Sequence, residues 1–161
     1  MSISPEQRHE NDERVKRDIE KFGCHVVGVF GKTSDEPDFA YSIGIQQTTG
    51  SPEAIVVGLS VKLGHVLIMK YLDQVQSGKI FSRGSPYHGF LEGCSVYFEP
   101  VEKEALAEYT FGCERYYRNR PFNIVQIVYP TPSGVWPWEE TASAQFVRLQ
   151  PMLGRLRPDR P

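Results

Sequence analysis

From Ser4 to Gly23 the apolar residues Val15, Ile19 and Phe22 fall at i, i+4 and i+7, one stripe of a helix whose other side carries Glu13, Arg14, Arg17 and Glu20. Ser4, Pro5 and Gln7 have the residue types of an N-cap, a first helical position and a capping box, and Gly23 is a natural stop. The pattern then changes period. Cys24 to Lys32 is rich in valine and predicts a strand, and Thr33 to Asp38 a polar turn. Phe39 to Ile45 alternates, with Phe39, Tyr41, Ile43 and Ile45 on one face and the small residues Ala40, Ser42 and Gly44 on the other. Such a face lets something approach the backbone closely. Gln46 to Pro52 predicts a turn, and Glu53 to Leu59 a continuously apolar, buried strand.

The later chain alternates between the two periods. Ser60 can cap a helix whose stripe is Val61, His65, Ile68, Leu72 and Val75, with Gly78 as its stop. Lys79 to Ser82 predicts a short strand, Arg83 to Gly93 a glycine-bearing loop, and Cys94 to Val101 a further strand. In Glu102 to Asn119, Leu106, Thr110, Cys113 and Tyr117 share one helical face. Phe122 to Tyr129 predicts the last strand, with Phe122, Ile124, Gln126 and Val128 on one side, and Ala142 to Leu149 a short helix. The proline-marked basic tail 150–161 is expected to fray. Short connections between the first three strands favour antiparallel pairing. The expected fold is therefore α+β, one domain over 1–161, with a mainly antiparallel, curled sheet flanked by three to four helices and the helix of residues 1–23 packed on it.

Composition narrows the class. The chain has 161 residues, 40% hydrophobic and 24% charged, which excludes a disordered polymer. Its formal charge of -2 lacks the basic excess of a nucleic-acid binder. No apolar run approaches the roughly 18 residues of a membrane span, and no leader is visible, so the expectation is a soluble cytoplasmic protein. Cys24, Cys94 and Cys113 are expected as free thiols, and the scattered His9, His25, His65 and His88 point to no metal site. Phosphate-loop, nucleophile-elbow and zinc-protease signatures are absent.

Candidate chemistry lies in five places. Ser42 and the bare backbone at Gly44 offer a hydroxyl and an amide to a ligand. The loop Arg83-Gly84-Ser85-Pro86-Tyr87-His88-Gly89 combines a guanidinium, an imidazole and adaptable backbone, the parts of an anion site. Tyr116 or Tyr117 could stack on a planar ligand beside Arg115, Arg118 and Arg120, since only one of the two can face the core. Gln126, on a face that otherwise reads as core, either braces a loop such as the WPWE turn or reads a ligand edge. Trp136 could lid a pocket or meet a partner, Trp138 is expected to plug the end of a barrel-like sheet, and Glu139 has the charge to meet an arginine.

Three segments carry a family resemblance: Pro37 to Ile45 with Ser51 to Leu59, Phe90 to Val101, and Arg115 to Glu139. Together they resemble the bacterial family called domain of unknown function 4262, over roughly Asp18 to Gln150. Where that family usually carries an aspartate after the proline of the third segment, this chain has Thr131. The resemblance implies no established activity. The strand order, with Leu91-Glu92-Gly93 leading into a strand, is also similar to flavin-reductase-type split barrels; this similarity implies an FMN-like flavin as cofactor and maps no flavin-contacting residue onto the chain.

Three functions compete. The first is binding of a small anionic or nucleotide-like ligand between the sheet and the late helix, by Ser42, Gly44, Arg83, His88, Tyr116, Gln126 and Trp136. The second is a protein-interaction or immunity-type module without catalysis, acting through the Trp136 patch or as a homodimer. A hydrolase or transferase with His88 as base ranks last, because no nucleophile stands near it in sequence.

Overall fold

The computed structural model describes residues 3–154. Helix α1 (Pro5–Phe22) begins in a complete capping box. The Ser4 side chain accepts from the Gln7 N–H, and the Gln7 side chain accepts from the Ser4 N–H. It ends where Gly23 turns left-handed at φ 97° and returns its N–H to the Ile19 carbonyl. Then follow β1 (His25–Val29), β2 (Phe39–Ile43), α2 (Ile45–Thr49), β3 (Glu53–Val57), α3 (Val61–Gln76), β4 (Tyr87–Leu91), β5 (Cys94–Pro100), α4 (Lys103–Tyr109), α5 (Phe111–Tyr117), β6 (Ile124–Val128) and α6 (Ala144–Leu149).

The six strands form one sheet in the order β1-β2-β3-β6-β5-β4. Every pair is antiparallel except the central β3–β6, in which Glu53, Ala54 and Ile55 lie beside Ile124, Val125 and Gln126. The α+β class and the antiparallel pairing of the first three strands thus appear as expected. The sheet is open, with β1 and β4 as its two edges, rather than closed on itself. Six helices accompany it among the described residues, four of them of seven residues or fewer, where three or four were expected.

Helix α3 covers one face of the sheet. Leu67, Ile68, Tyr71 and Leu72 pack with Ala40, Ala54, Val56, Phe98 and Ile127. The small-residue positions are what allow the approach. A Cβ added to Gly64 of α3 would stand 3.1 Å from the Ala40 Cβ, and one added to Gly44 would stand 2.5 Å from Ile19 of α1. The close partner anticipated for this part of β2 is therefore the protein's own pair of helices. On the other face, Tyr41, Ile43, Ile55, Val57 and Ile124 pack with Ile19, Cys113, Tyr117 and Leu153.

Several local expectations give way to tertiary packing. Ile45 leaves the strand and opens α2, because Gly44 takes φ 106° and breaks the extended run. His65 is exposed; the buried stripe of α3 runs through Gly64, Leu67, Ile68, Tyr71, Leu72 and Val75. Lys79 to Ser82 forms no strand, whereas the supposed loop after it contains β4, joined to β5 by Glu92-Gly93. The long helix divides at Thr110, whose φ of -118° interrupts it, and Gly112 of α5 donates its N–H to the Tyr41 hydroxyl at 2.9 Å. Of the segment expected to fray, Gln150 and Leu153 are buried; residues 155–161 lie outside those described.

The tight α3–β2 contact yields a stability prediction. Gly64→Val should cost about 1–3 kcal/mol by overpacking, read from denaturant midpoints, and adding Ala40→Gly should recover part of the loss.

Candidate functional site

The most heavily bonded side chain among the described residues is one that the sequence placed only as the first residue of a buried strand. Glu53 is 0% exposed. Its Oε1 accepts from the Ser42 hydroxyl at 2.7 Å and the Ile45 N–H at 2.9 Å. Its Oε2 accepts from the N–H groups of Gly44 (2.9 Å) and Gln46 (3.2 Å), and from the Tyr117 hydroxyl. Burial pushes the Glu53 carboxyl above the usual carboxylate range, against the opposing pull of these donors. Burial first, and then the neighbouring Glu53, push the Tyr117 phenol up. Cys113 beside them is raised well above an ordinary thiol, by burial and then by Glu53.

Ser42 and Gly44 therefore do present a hydroxyl and an amide to an anion, and that anion is the chain's own carboxylate. The Ser42 Oγ also accepts from the Ala54 N–H at 3.0 Å, so the hydroxyl is fully engaged. Gln46 extends the joint. Its side chain donates to the Pro121 carbonyl at 3.0 Å and accepts from the Asn123 N–H at 2.8 Å, pinning the entry to β6. The signal available in the sequence was an acidic residue opening an otherwise apolar run, nine residues after a Ser-x-Gly strand end.

The remaining candidates occupy separate places. Gln126, 0% exposed, donates to the Pro151 carbonyl and accepts from the Leu153 N–H, each at 2.9 Å. It thus braces the C-terminal segment, not the WPWE turn. Gln150 beside it exchanges two hydrogen bonds with the Tyr129 backbone. Arg83 meets the buried Glu99 at 3.3 Å, and Glu99 lies opposite Gln126 in the β5–β6 register. Tyr117 is the core-facing member of its pair. Tyr116 is half-buried under the Arg120 guanidinium, which stands 5.5 Å from its ring centre. The Trp136 and Trp138 indoles stack on each other at 5.1 Å, and the edge of Tyr97 meets both. Glu139 accepts from the Trp136 N–H at 2.6 Å, a backbone partner in place of the arginine that its charge had suggested.

His88 stands apart from all of these. With Lys70, Asp73, Gln74, Lys79, Phe81, Tyr87, Gly89 and Phe90 it lines a cleft of about 370 Å³ between α3 and the edge strand β4. Strand β4 bulges here: Tyr87 pairs with Val96 and Leu91 with Cys94, so His88, Gly89 and Phe90 face the single residue Ser95. Gly89 takes φ 94° within the bulge. The floor is aromatic, with Phe81 in edge contact with Tyr87 and Phe90. Lys79 Nζ lies 5.9 Å and 5.8 Å from the Phe81 and Tyr87 ring centres. Lys70 Nζ donates to the Phe90 carbonyl at 3.1 Å. Sequence reasoning found His88 but not the lysines, since α3 and β4 meet only in the fold.

An open, mostly antiparallel sheet with one parallel pair at its centre, covered by α3 and locked by a buried carboxylate, defines the class of protein. Within it, the model of the family described as Domain of unknown function (DUF4262) matches residues 18–143, and the chain belongs to that family. No curated protein and no solved structure matches the chain. Among the described residues no helix is long and apolar enough to cross a membrane.

Glu53→Gln keeps the shape but presents an NH2 group to donors, so it should cost about 3–5 kcal/mol. Tyr117→Phe should cost about 1–3 kcal/mol. Urea denaturation of the two variants measures both, and a loss from Glu53→Gln no larger than that of an exposed glutamate would remove the carboxylate from its central place.

Proposed function

We propose that the protein binds a small anionic ligand in the cleft between α3 and β4. One observation carries this reading: Lys70, Lys79 and His88 line the same concave site of about 370 Å³. That volume lies within the roughly 300–1,000 Å³ of small-molecule sites. Both lysines are positioned in advance, Lys79 over two aromatic rings and Lys70 against the Phe90 carbonyl. A cation held in place before the ligand arrives loses less conformational freedom on binding. The bulge at Gly89 turns His88 and local backbone toward the cleft side of an edge strand. Nucleoside monophosphates and FMN belong to the ligand class, each carrying a phosphate on a larger body.

Amide NMR titration with inorganic phosphate, AMP and FMN tests the proposal. Shifts should concentrate in residues 70–90 and weaken with added salt. Lys79→Ala and His88→Ala should each weaken binding by about three- to tenfold. Absence of shifts in that segment with all three ligands would refute it.

A further inference from the structure

The same cleft also holds a charge that the anion reading leaves unused. Asp73 lines it together with Lys70 and Lys79. Asp73 and Lys70 are three residues apart on α3, a spacing at which opposite charges ordinarily meet, their Cβ atoms about 5–6 Å apart. They do not meet. Lys70 turns to the Phe90 carbonyl and Lys79 lies over the aromatic rings. Among the described residues Asp73 forms no ion pair. One cavity thus keeps two cations and a carboxylate apart.

We infer that the ligand is dipolar: a phosphomonoester end against Lys70, Lys79 and His88, and an amine end against Asp73, with the Gln74 side-chain carbonyl as a second acceptor. This rests on the anion site proposed above and adds its other half. The cationic side outnumbers the single carboxylate, which suits a dianion joined to one ammonium rather than a carboxylate zwitterion. The helical spacing roots the Lys70 and Asp73 side chains about 5–6 Å apart at their Cβ atoms, which suits a ligand whose two ends are joined by a short linker.

O-Phosphoethanolamine is the probe, with ethyl phosphate and inorganic phosphate as ligands that lack the amine. In amide NMR titrations of the full chain, O-phosphoethanolamine should bind about tenfold more tightly than ethyl phosphate. Asp73→Asn, an exposed substitution, should abolish that preference without weakening ethyl phosphate. Equal affinity of the wild-type protein for the two esters, with shifts still in the cleft, overturns the dipolar ligand and leaves the anion site standing. A preference that survives Asp73→Asn also overturns it. If none of the three compounds shifts residues 70–90, the anion site falls as well.

Discussion

A single buried carboxylate ties the chain together. Glu53 begins β3, yet its donors come from the end of β2, the start of α2 and the end of α5. A charge withdrawn from water is tolerable only if its lone pairs are satisfied. Here five donors meet two oxygens, and each donor belongs to a segment that would otherwise end with unpaired groups. The left-handed turn at Gly44 aims the three amides inward, and Ile19 of α1 closes over the same glycine. Loss of the carboxylate would leave the amides of Gly44, Ile45 and Gln46 without their acceptor around a fully buried position.

Around this joint the sheet is held by contacts of two kinds. On the α3 face the fit is steric: Gly64 against Ala40 brings the helix close, and Tyr71, Phe81, Phe90 and Phe98 form a connected aromatic cluster beyond it. On the opposite face polar side chains do more of the binding. Gln126 and Gln150 stitch the segment after α6 onto β6 and Tyr129, using backbone groups that would otherwise lie buried without partners. Both glutamines are internal fasteners, and the amide groups of both are occupied.

The consequence for function is a division of the molecule. The end containing Ser42, Gly44 and Tyr117 is closed and internally satisfied. The β4 edge, by contrast, is irregular, bulged and lined by charges that do not neutralise one another. There Lys79 is held over aromatic rings and Lys70 against a carbonyl, beside an Asp73 carboxylate that forms no ion pair among the described residues.

Local chemistry was legible along the chain wherever neighbours in sequence settle the matter. The Ser4 capping box, the Gly23 stop, the Ser60 cap and the alternation of β2 and β6 depend on residues a few positions apart, and all are present in the fold. The polarity of the Ser42–Gly44 corner was equally legible, because a small-residue strand end must face a close partner. The identity of that partner was not, since Glu53 lies 11 residues beyond Ser42 and Tyr117 a further 64 beyond Glu53. Helix α3 and strand β4 carry ordinary surface lysines and aromatics when read singly, and become a cleft only when packed together. Periodicity assigns residues to faces, but which faces meet depends on chain crossings that no short window of sequence contains.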